Sequence, residues 1–426
     1  MKVLVVGSGA REHALAAVLR AAPGCAVVCA PGNPGIAHDV PVAPLDPSRP
    51  EAVLALAEAE GADLTVIGPE APLAAGVADL FAASGRLLFG PTRAAAQLET
   101  SKAFAKGVMA RYRVPTARAI ICDSAEAALS AVRSGALGWP VVVKADGLAA
   151  GKGVVIASDR SEAEAAVQAA MVDGAFGAAG ARLVLEECLQ GPELSYFVIA
   201  SGTRYVACGS AQDHKRLLDG DRGPNTGGMG AFSPSVLVTP DLAARIEREV
   251  VEPVLGGMAA EGLPFTGFLY CGLMLTADGP KVIEFNCRFG DPEAQVVLPL
   301  LDEPLAPVLA AAAAGRDLPK TLRFSSDVAV GVVLAAGGYP GTPRTGPVIE
   351  GLDAVRAECP SAALRFAGVT AVDGQLAVAG GRVLTVVGRA AGYAEAIEAA
   401  YTAAQHVRFE GRQLRTDIGT RALSRP

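Results

Sequence analysis

Glu284 and Asn286 stand two residues apart in the run Val282-Ile283-Glu284-Phe285-Asn286-Cys287-Arg288-Phe289-Gly290-Asp291-Pro292-Glu293. In an extended strand such residues share a face, so their side-chain oxygens lie side by side while Ile283 and Phe285 pack behind. Paired oxygen ligands suit Mg2+ held together with substrate phosphates. Arg288 follows closely enough to neutralise a carboxylate or a transferring phosphoryl group. A polar edge strand with a salt bridge explains any two of these residues; it explains the whole run poorly.

A second run, Lys144-Ala145-Asp146-Gly147-Leu148-Ala149-Ala150-Gly151-Lys152-Gly153, joins two apolar strands. Glycines let backbone fold closely over phosphates, and the lysines bring positive charge. A strand follows this loop where a Walker loop would lead into a helix. A hairpin with exposed lysines is the plain alternative, but Lys144 follows three valines and is expected to point inward. A third loop, Gly7-Ser8-Gly9-Ala10-Arg11-Glu12, lies between a strand and a helix, where N–H groups and the helix dipole favour an anion. A dinucleotide site would place glycine at the Glu12 position and end the second strand in a carboxylate. That strand ends instead in Ala30-Pro31. A monophosphate site and an empty tight turn both remain open for this loop.

Two further clusters are Gln212-Asp213-His214-Lys215-Arg216 and Gly223-Pro224-Asn225-Thr226-Gly227-Gly228-Met229-Gly230. The second is too glycine-rich to be expected as helix or strand, and loops so dense in special residues usually bind something. His13 fits a structural role as well as a functional one. Trp139, the only tryptophan, is expected in the core.

The elements that must position these groups alternate. Strands are expected at Val3–Val6, Val27–Ala30, Leu64–Ile67 and Leu87–Phe89. Helices are expected at Glu12–Ala21, Glu51–Glu60 and around Leu73–Ser84. Such alternation implies a parallel sheet covered on both faces. From about 101 to 124 a helix and then an exit through Val114-Pro115-Thr116 are expected, followed by a mixed α/β stretch to about 190. Strands follow at Tyr196–Ala200, Phe268–Leu275, Lys281–Asn286 and Ala329–Ala335. The last part holds strands near Leu376–Val378 and Arg382–Val387, and a helix over Tyr393–His406.

Composition narrows the function. The net charge of −7 argues against nucleic acid or an anionic membrane as the main partner. The alanine-rich run Leu305–Gly315 is too short for the ~20 residues of a membrane span. Met1 leads directly into the first strand, which reads as no cleavable leader. The eight cysteines are scattered without CxxC spacing, as expected of reduced thiols in a cytoplasmic protein. The four histidines are equally dispersed, which disfavours a histidine-rich metal site.

Taken in order, the runs Gly9–Ala14, Ala30–Asn33, Gly68–Leu73, Ser101–Phe104, Lys144–Gly153, Gln212–Arg216, Pro224–Gly230, Glu284–Glu293, Gly337–Gly341 and Asp417–Gly419 resemble the phosphoribosylamine–glycine ligase (glycinamide ribonucleotide synthetase) family of the ATP-grasp superfamily. The resemblance covers essentially the whole chain. It implies an α/β protein with three parts. A preATP-grasp, Rossmann-like parallel-sheet domain is expected over residues 1–101. An ATP-grasp core follows over 102–328, with 125–190 as a mobile lid. A small C-terminal α+β domain takes 329–426. It implies ligation of glycine to 5-phosphoribosylamine through a glycyl phosphate in de novo purine biosynthesis, with ATP and Mg2+ or Mn2+. Its implied partners are small molecules only, and its implied state is a monomer or weak dimer.

The resemblance also assigns roles. Lys102, Lys144 and the loop glycines Gly147, Gly151 and Gly153 would hold ATP phosphates. Glu186, Glu187 and Leu189 would lie at the adenine, and Glu193 at the ATP ribose. Glu284 and Asn286 would bind metal. Asp213, Lys215, Arg288 and Asp291 would line the reacting centre. Gly9, Ala10, Arg11 and Glu12 would lie near the sugar phosphate, with Asn225, Thr226 and Gly227 also on substrate. Three positions depart from the family pattern. Ala10 replaces a usual glycine, and Pro192 stands where a second glutamate is common. Phe268–Leu275 offers no carboxylate for a second metal. Two rivals remain: a purine-pathway ligase using formate or bicarbonate, and a nucleotide-binding regulator without catalysis.

Overall fold

Four buried apolar runs near the N-terminus become four parallel strands: β1 (Lys2–Gly7), β2 (Ala26–Pro31), β3 (Leu64–Ile67) and β4 (Leu88–Phe89). Their order is β2-β1-β3-β4 in this computed structural model, which describes residues 1–148 and 153–423. Gly151, one of the expected ATP-loop glycines, lies outside the described residues. Val3 to Val6 are fully buried, as a strand covered on both faces requires. The helix expected over Leu73–Ser84 is instead two, Glu70–Ala74 and Val77–Ala83. Gly76, at φ +90°, breaks it in a conformation that glycine adopts cheaply. The helix expected to open this stretch runs over Lys102–Arg111, ahead of the exit expected at Val114-Pro115-Thr116. Arg113 then turns with φ +57°, and the pre-proline restriction on Val114 prevents resumption.

A second, antiparallel sheet holds β5 (Ala119–Cys122), β6 (Val141–Ala145), β7 (Val154–Ala157) and β8 (Leu183–Glu187), in the order β5-β8-β6-β7. Helices Ala125–Ser134 and Arg160–Val167 cover one face, burying Val132, Val141, Val143, Val167, Leu183 and Leu185 together. Trp139 is not in this core but 43% exposed, in the connection entering β6.

The largest sheet has eight strands. Its members are β9 (Glu193–Ser201), β10 (Arg204–Asp213), β13 (Gly230–Ser233), β14 (Thr266–Thr276), β15 (Gly279–Asn286), β16 (Val328–Ala335), β17 (Ala362–Phe366) and β20 (Arg382–Ala390). The order is β15-β14-β9-β10-β13-β16-β20-β17. Two small hairpins supply the missing numbers: β11 (Arg216–Leu218) with β12 (Arg222–Asn225), and β18 (Val369–Val372) with β19 (Gln375–Val378). The glycine-rich stretch 223–230, expected as neither helix nor strand, therefore begins in one strand and ends in another. Tertiary pairing overrides propensity here. A Cβ on Gly230 would sit 2.6 Å from the Gly331 carbonyl, so only glycine lets β13 lie against β16. That pairing makes one sheet of the central and C-terminal parts. The helix Tyr393–His406 forms as expected and packs on β16 and β20. No helix among the described residues is long and apolar enough to cross a membrane.

Candidate active site

β15 carries Glu284 opposite Gly272 and Asn286 opposite Tyr270 of β14. The register shifts between Gly272 and Leu273, leaving Ile283 as an extra residue. A bulge of this kind re-aims neighbouring side chains and frees a backbone group. Here the Ile283 carbonyl accepts from Lys144 Nζ at 3.1 Å. Glycine at 272 makes room: a Cβ there would meet Glu284 Cγ at 3.1 Å. Among the described residues, the Glu284 carboxylate has no hydrogen bond and no cationic nitrogen within 4 Å. Burial pushes its pKa up, but the charges of Lys215, Lys144, Arg288 and Lys102 outweigh that and hold it below the usual glutamate value. An ionised carboxylate with open coordination beside an asparagine oxygen fits a divalent metal. No group of three or more His, Cys, Asp or Glu among the described residues could cage one alone. Such an ion would therefore take further oxygens from a bound ligand.

Three lysines converge nearby. Lys102 opens the helix Lys102–Arg111, which Ser101 caps by accepting from the Phe104 N–H at 3.0 Å, an interaction worth about 1 kcal/mol. Asp146, at the start of the glycine loop, accepts from the Ala103 N–H at 3.1 Å, which ties the loop to that helix. Lys102 Nζ reaches the Gly147 carbonyl at 3.0 Å. Glu186, buried on β8, meets Lys144 at 3.0 Å and Lys106 at 3.2 Å. Glu187 alternates to the other face and pairs with Arg118 at 2.7 Å, so its carboxylate is already engaged. Leu189 is half-buried in the connection that follows. Gly153 is buried at the loop's far end, its carbonyl accepting from the Ala145 N–H at 2.8 Å.

The end of β10 supplies the next group. Lys215 pairs with Glu193 at 2.9 Å, which joins a residue expected at the ATP ribose to one expected at the reacting centre. Burial opposes the Lys215 charge, but Glu193, Tyr270, Glu284 and Asp213 hold its pKa well above the ordinary lysine value. Asp213 is shifted in the same direction, but here burial drives the rise. Burial and the neighbouring Glu293 push its carboxyl well above the usual range. Thr226 clips the two predicted clusters together, its N–H and Oγ1 both donating to the Lys215 carbonyl at 2.7 and 2.9 Å. Asn225 ends β12, exposed, opposite Arg216. Gly227 is held from the C-terminal part: its N–H donates to the Tyr339 hydroxyl at 2.8 Å, and Arg382 donates to its carbonyl. The same Arg382 donates to the Asp291 carbonyl at 2.6 Å and pairs with its carboxylate at 3.1 Å. Burial raises Asp291, but Arg382, Arg11 and the Gln295 hydrogen bond bring it below the usual value.

Arg288 is gripped by Glu99 at 3.1 Å and Glu70 at 3.3 Å. The first glycine loop closes this end. Glu12 turns inward, accepting from the Gly9 N–H and from Arg11, both at 2.6 Å. A Cβ on Gly68 would lie 2.1 Å from that carboxylate, which explains a glycine there. Gly9 lies beside Asp291, the carboxylate oxygen 3.8 Å from where a Cβ would be, and Ala10 is buried behind it. His13 proves structural: it is fully buried, accepts from the Phe366 N–H at 2.9 Å and contacts Asp39 at 2.6 Å.

Sequence reasoning gave no role to Lys106, Glu70, Glu99, Tyr339 or Arg382, although Glu70 and Tyr339 lie in runs that carry the resemblance. The i, i+4 spacing of Lys106 from Lys102 offered a further cue. Together the groups bring several cations around one open carboxylate, with a high-pKa carboxyl and the Gly7–Glu12 loop close by.

Comparison with known proteins identifies the family. Residues 1–99, 100–294 and 329–421 match the family models described as the phosphoribosylglycinamide synthetase N domain, ATP-grasp (A) domain and C domain. The chain is 51% identical to a phosphoribosylamine–glycine ligase of Ralstonia nicotianae, covering 100% of both chains. It is 49% identical to that of Xanthomonas campestris pv. campestris, covering 100% of this chain and 99% of the relative. The crystal structure of the Thermotoga maritima phosphoribosylamine–glycine ligase superposes with a TM-score of 0.86 at 34% identity, covering 98% of this chain and 100% of that one. A Campylobacter jejuni biotin carboxylase shares the fold at 17% identity and TM-score 0.72, covering 100% of this chain and 95% of that one. With three matched domain models and full-length relatives near half identity, the chain belongs to the phosphoribosylamine–glycine ligase family of ATP-grasp enzymes.

Proposed function

We propose that this enzyme joins glycine to 5-phosphoribosylamine using ATP, releasing glycinamide ribonucleotide, ADP and phosphate, as a step of de novo purine biosynthesis. The observation that carries the reading is the open Glu284 carboxylate set among Lys102, Lys144, Lys215 and Arg288. An oxygen of the glycine carboxylate takes the γ-phosphoryl group of ATP, and ADP leaves. The amine nitrogen then attacks the carbonyl carbon, the carbon–oxygen bond to phosphate breaks, and the nitrogen sheds a proton. On this reading Asp213, made more basic by burial and Glu293, takes it. Lys215 and Arg288 offset the developing negative charge, and such preorganised charge supplies most of the rate in phosphoryl transfer.

Glu284 and Asn286 would hold Mg2+ or Mn2+, which when bound neutralises phosphate charge. Lys102 and Lys144 serve the polyphosphate. The Glu186–Leu189 segment serves the adenine and Glu193 the ribose. The loop Gly9–Glu12 and the turn Asn225–Gly227 serve the second substrate. On this reading the working units are residues 1–101, 102–328 with the lid at 125–190, and 329–426, in a cytoplasmic monomer or weak dimer.

A phosphate-release assay with glycine, formate and bicarbonate, each with phosphoribosylamine and ATP, tests the reading. Phosphate release is expected with glycine. Turnover with formate and none with glycine would reverse the assignment.

A further inference from the structure

Lys106 is a buried ammonium that the reaction described above does not use. It lies one turn beyond Lys102 on the same helix, so the two share a helix face. A lysine ammonium has three N–H donors. Lys106 faces three acceptors: Glu186 Oε2 at 3.2 Å, Thr116 Oγ1 at 2.8 Å and the Ala117 carbonyl at 3.0 Å. Thr116 is itself fixed, donating to the Val282 carbonyl at 2.6 Å. Lys106 has therefore no donor left for a ligand.

Its neighbours differ. Among the described residues, Lys144 faces only Glu186 Oε1 and the Ile283 carbonyl, which leaves one donor. Lys102 faces only the Gly147 carbonyl, which leaves two. Donor capacity thus separates two lysines able to touch a polyphosphate from one that cannot.

We propose that Lys106 is a positioning residue that keeps the phosphate site cationic by neutralising Glu186. Lys106, Glu186 and Lys144 together carry one net positive charge. Without Lys106 the Glu186–Lys144 pair is neutral, and Glu186 holds Lys144 with its whole charge. The site then loses attraction for a polyanion while the shape of the nucleoside pocket stays. The proposal rests on ATP being the ligand of this site.

Isothermal titration of the full-length enzyme with ATP and with adenosine tests it. Lys106→Met should weaken ATP on the order of tenfold or more, the scale of breaking a buried charge pair, and leave adenosine binding unchanged. Equal loss of ATP and adenosine would overturn the proposal, as would a wild-type ATP Kd. Two double variants, each lacking the unpaired buried anion, keep the test decisive if the single variant fails to fold. Lys106→Met with Glu186→Gln keeps the wild-type net charge and the free donor of Lys144, so its ATP Kd should lie within about threefold of the wild-type value. Lys144→Met with Glu186→Gln keeps the charge but not the contact, so ATP should weaken tenfold or more. Equal losses in the two doubles would sink the distinction. Absence of ATP binding by the wild-type protein would instead fail the parent reading of the site.

Discussion

Glu186 and Glu284 lie on opposite sides of one site, on β8 and β15. Glu186 is 3% exposed and meets two lysines, at 3.0 and 3.2 Å. Glu284 has four cations around it, yet none within 4 Å among the described residues. Burying a charge is costly unless it is paired. Glu186 meets that cost by pairing, which occupies both of its carboxylate oxygens. Glu284 meets it only through the field of more distant charges. A field keeps the group ionised without occupying its lone pairs, which is the condition for receiving a metal ion. The two residues teach that charge state and coordination can be set separately.

The sharpest way to break this comparison is Glu284→Gln, which keeps size and hydrogen bonding but removes the anion. Turnover should fall on the order of 10²-fold or more, the scale of losing one preorganised electrostatic group. Adenosine binding should persist and the fold should survive with only a small drop in melting temperature, because an anion is lost but no cavity is made. ADP release across a Mg2+ titration, with thermal melting as control, is the measurement. Wild-type turnover at limiting metal would remove Glu284 from the site.

Arg382→Met probes the other wall. It frees the Gly227 carbonyl and the Asp291 carboxylate, while nothing near Glu186 changes. Turnover should drop roughly tenfold, as expected when reacting groups are slightly misplaced. The KM for ATP should stay constant, and an ATP defect as large as the turnover defect would contradict the assignment of this wall to the second substrate.

The field itself can be tested by pH. Glu284 is held below its ordinary pKa, so it is ionised throughout the neutral range. Its contribution to stability is complete above the ordinary glutamate value and is lost as pH falls through the lowered one. Lys215→Met removes the strongest opposing charge, so burial should then raise the Glu284 pKa. The acid limb of the residual turnover should move to higher pH. A limb that stays in place would mean that distant charges do not set the state of Glu284.

The smallest effect expected is in motion. Slower amide exchange at Gly147, Leu148 and Gly153 should follow nucleotide binding, because phosphate neutralises the lysines that line this loop. Hydrogen exchange read by mass spectrometry reports it. Unchanged exchange would argue that the 125–190 segment does not close.

Much of this was legible in local pattern. Strand spacing puts Glu284 and Asn286 on one face, and the three valines before Lys144 turn it inward, but the bulge sets Val282 instead of the expected Ile283 in the core beside Phe285. The parallel N-terminal sheet and the helix Tyr393–His406 follow from the same periodicities. These features depend on residues a few positions apart, where backbone geometry is fixed. Partners far apart in sequence left no such mark. Arg382 reaches Gly227 across 155 positions, and Cys287 donates to Glu99 across 188. Lys106, read alone, is one more charged residue on a helix, and only the placement of β8 beside it makes it a buried clamp. The bulge at Ile283 comes from β14 and β15 meeting out of register, which neither strand encodes alone. Local spacing therefore determined which side chains could act together on one element. The stacking of three sheets decided which carboxylate would be closed by lysines and which would be left open, because burial and long-range charge exist only once the chain is folded.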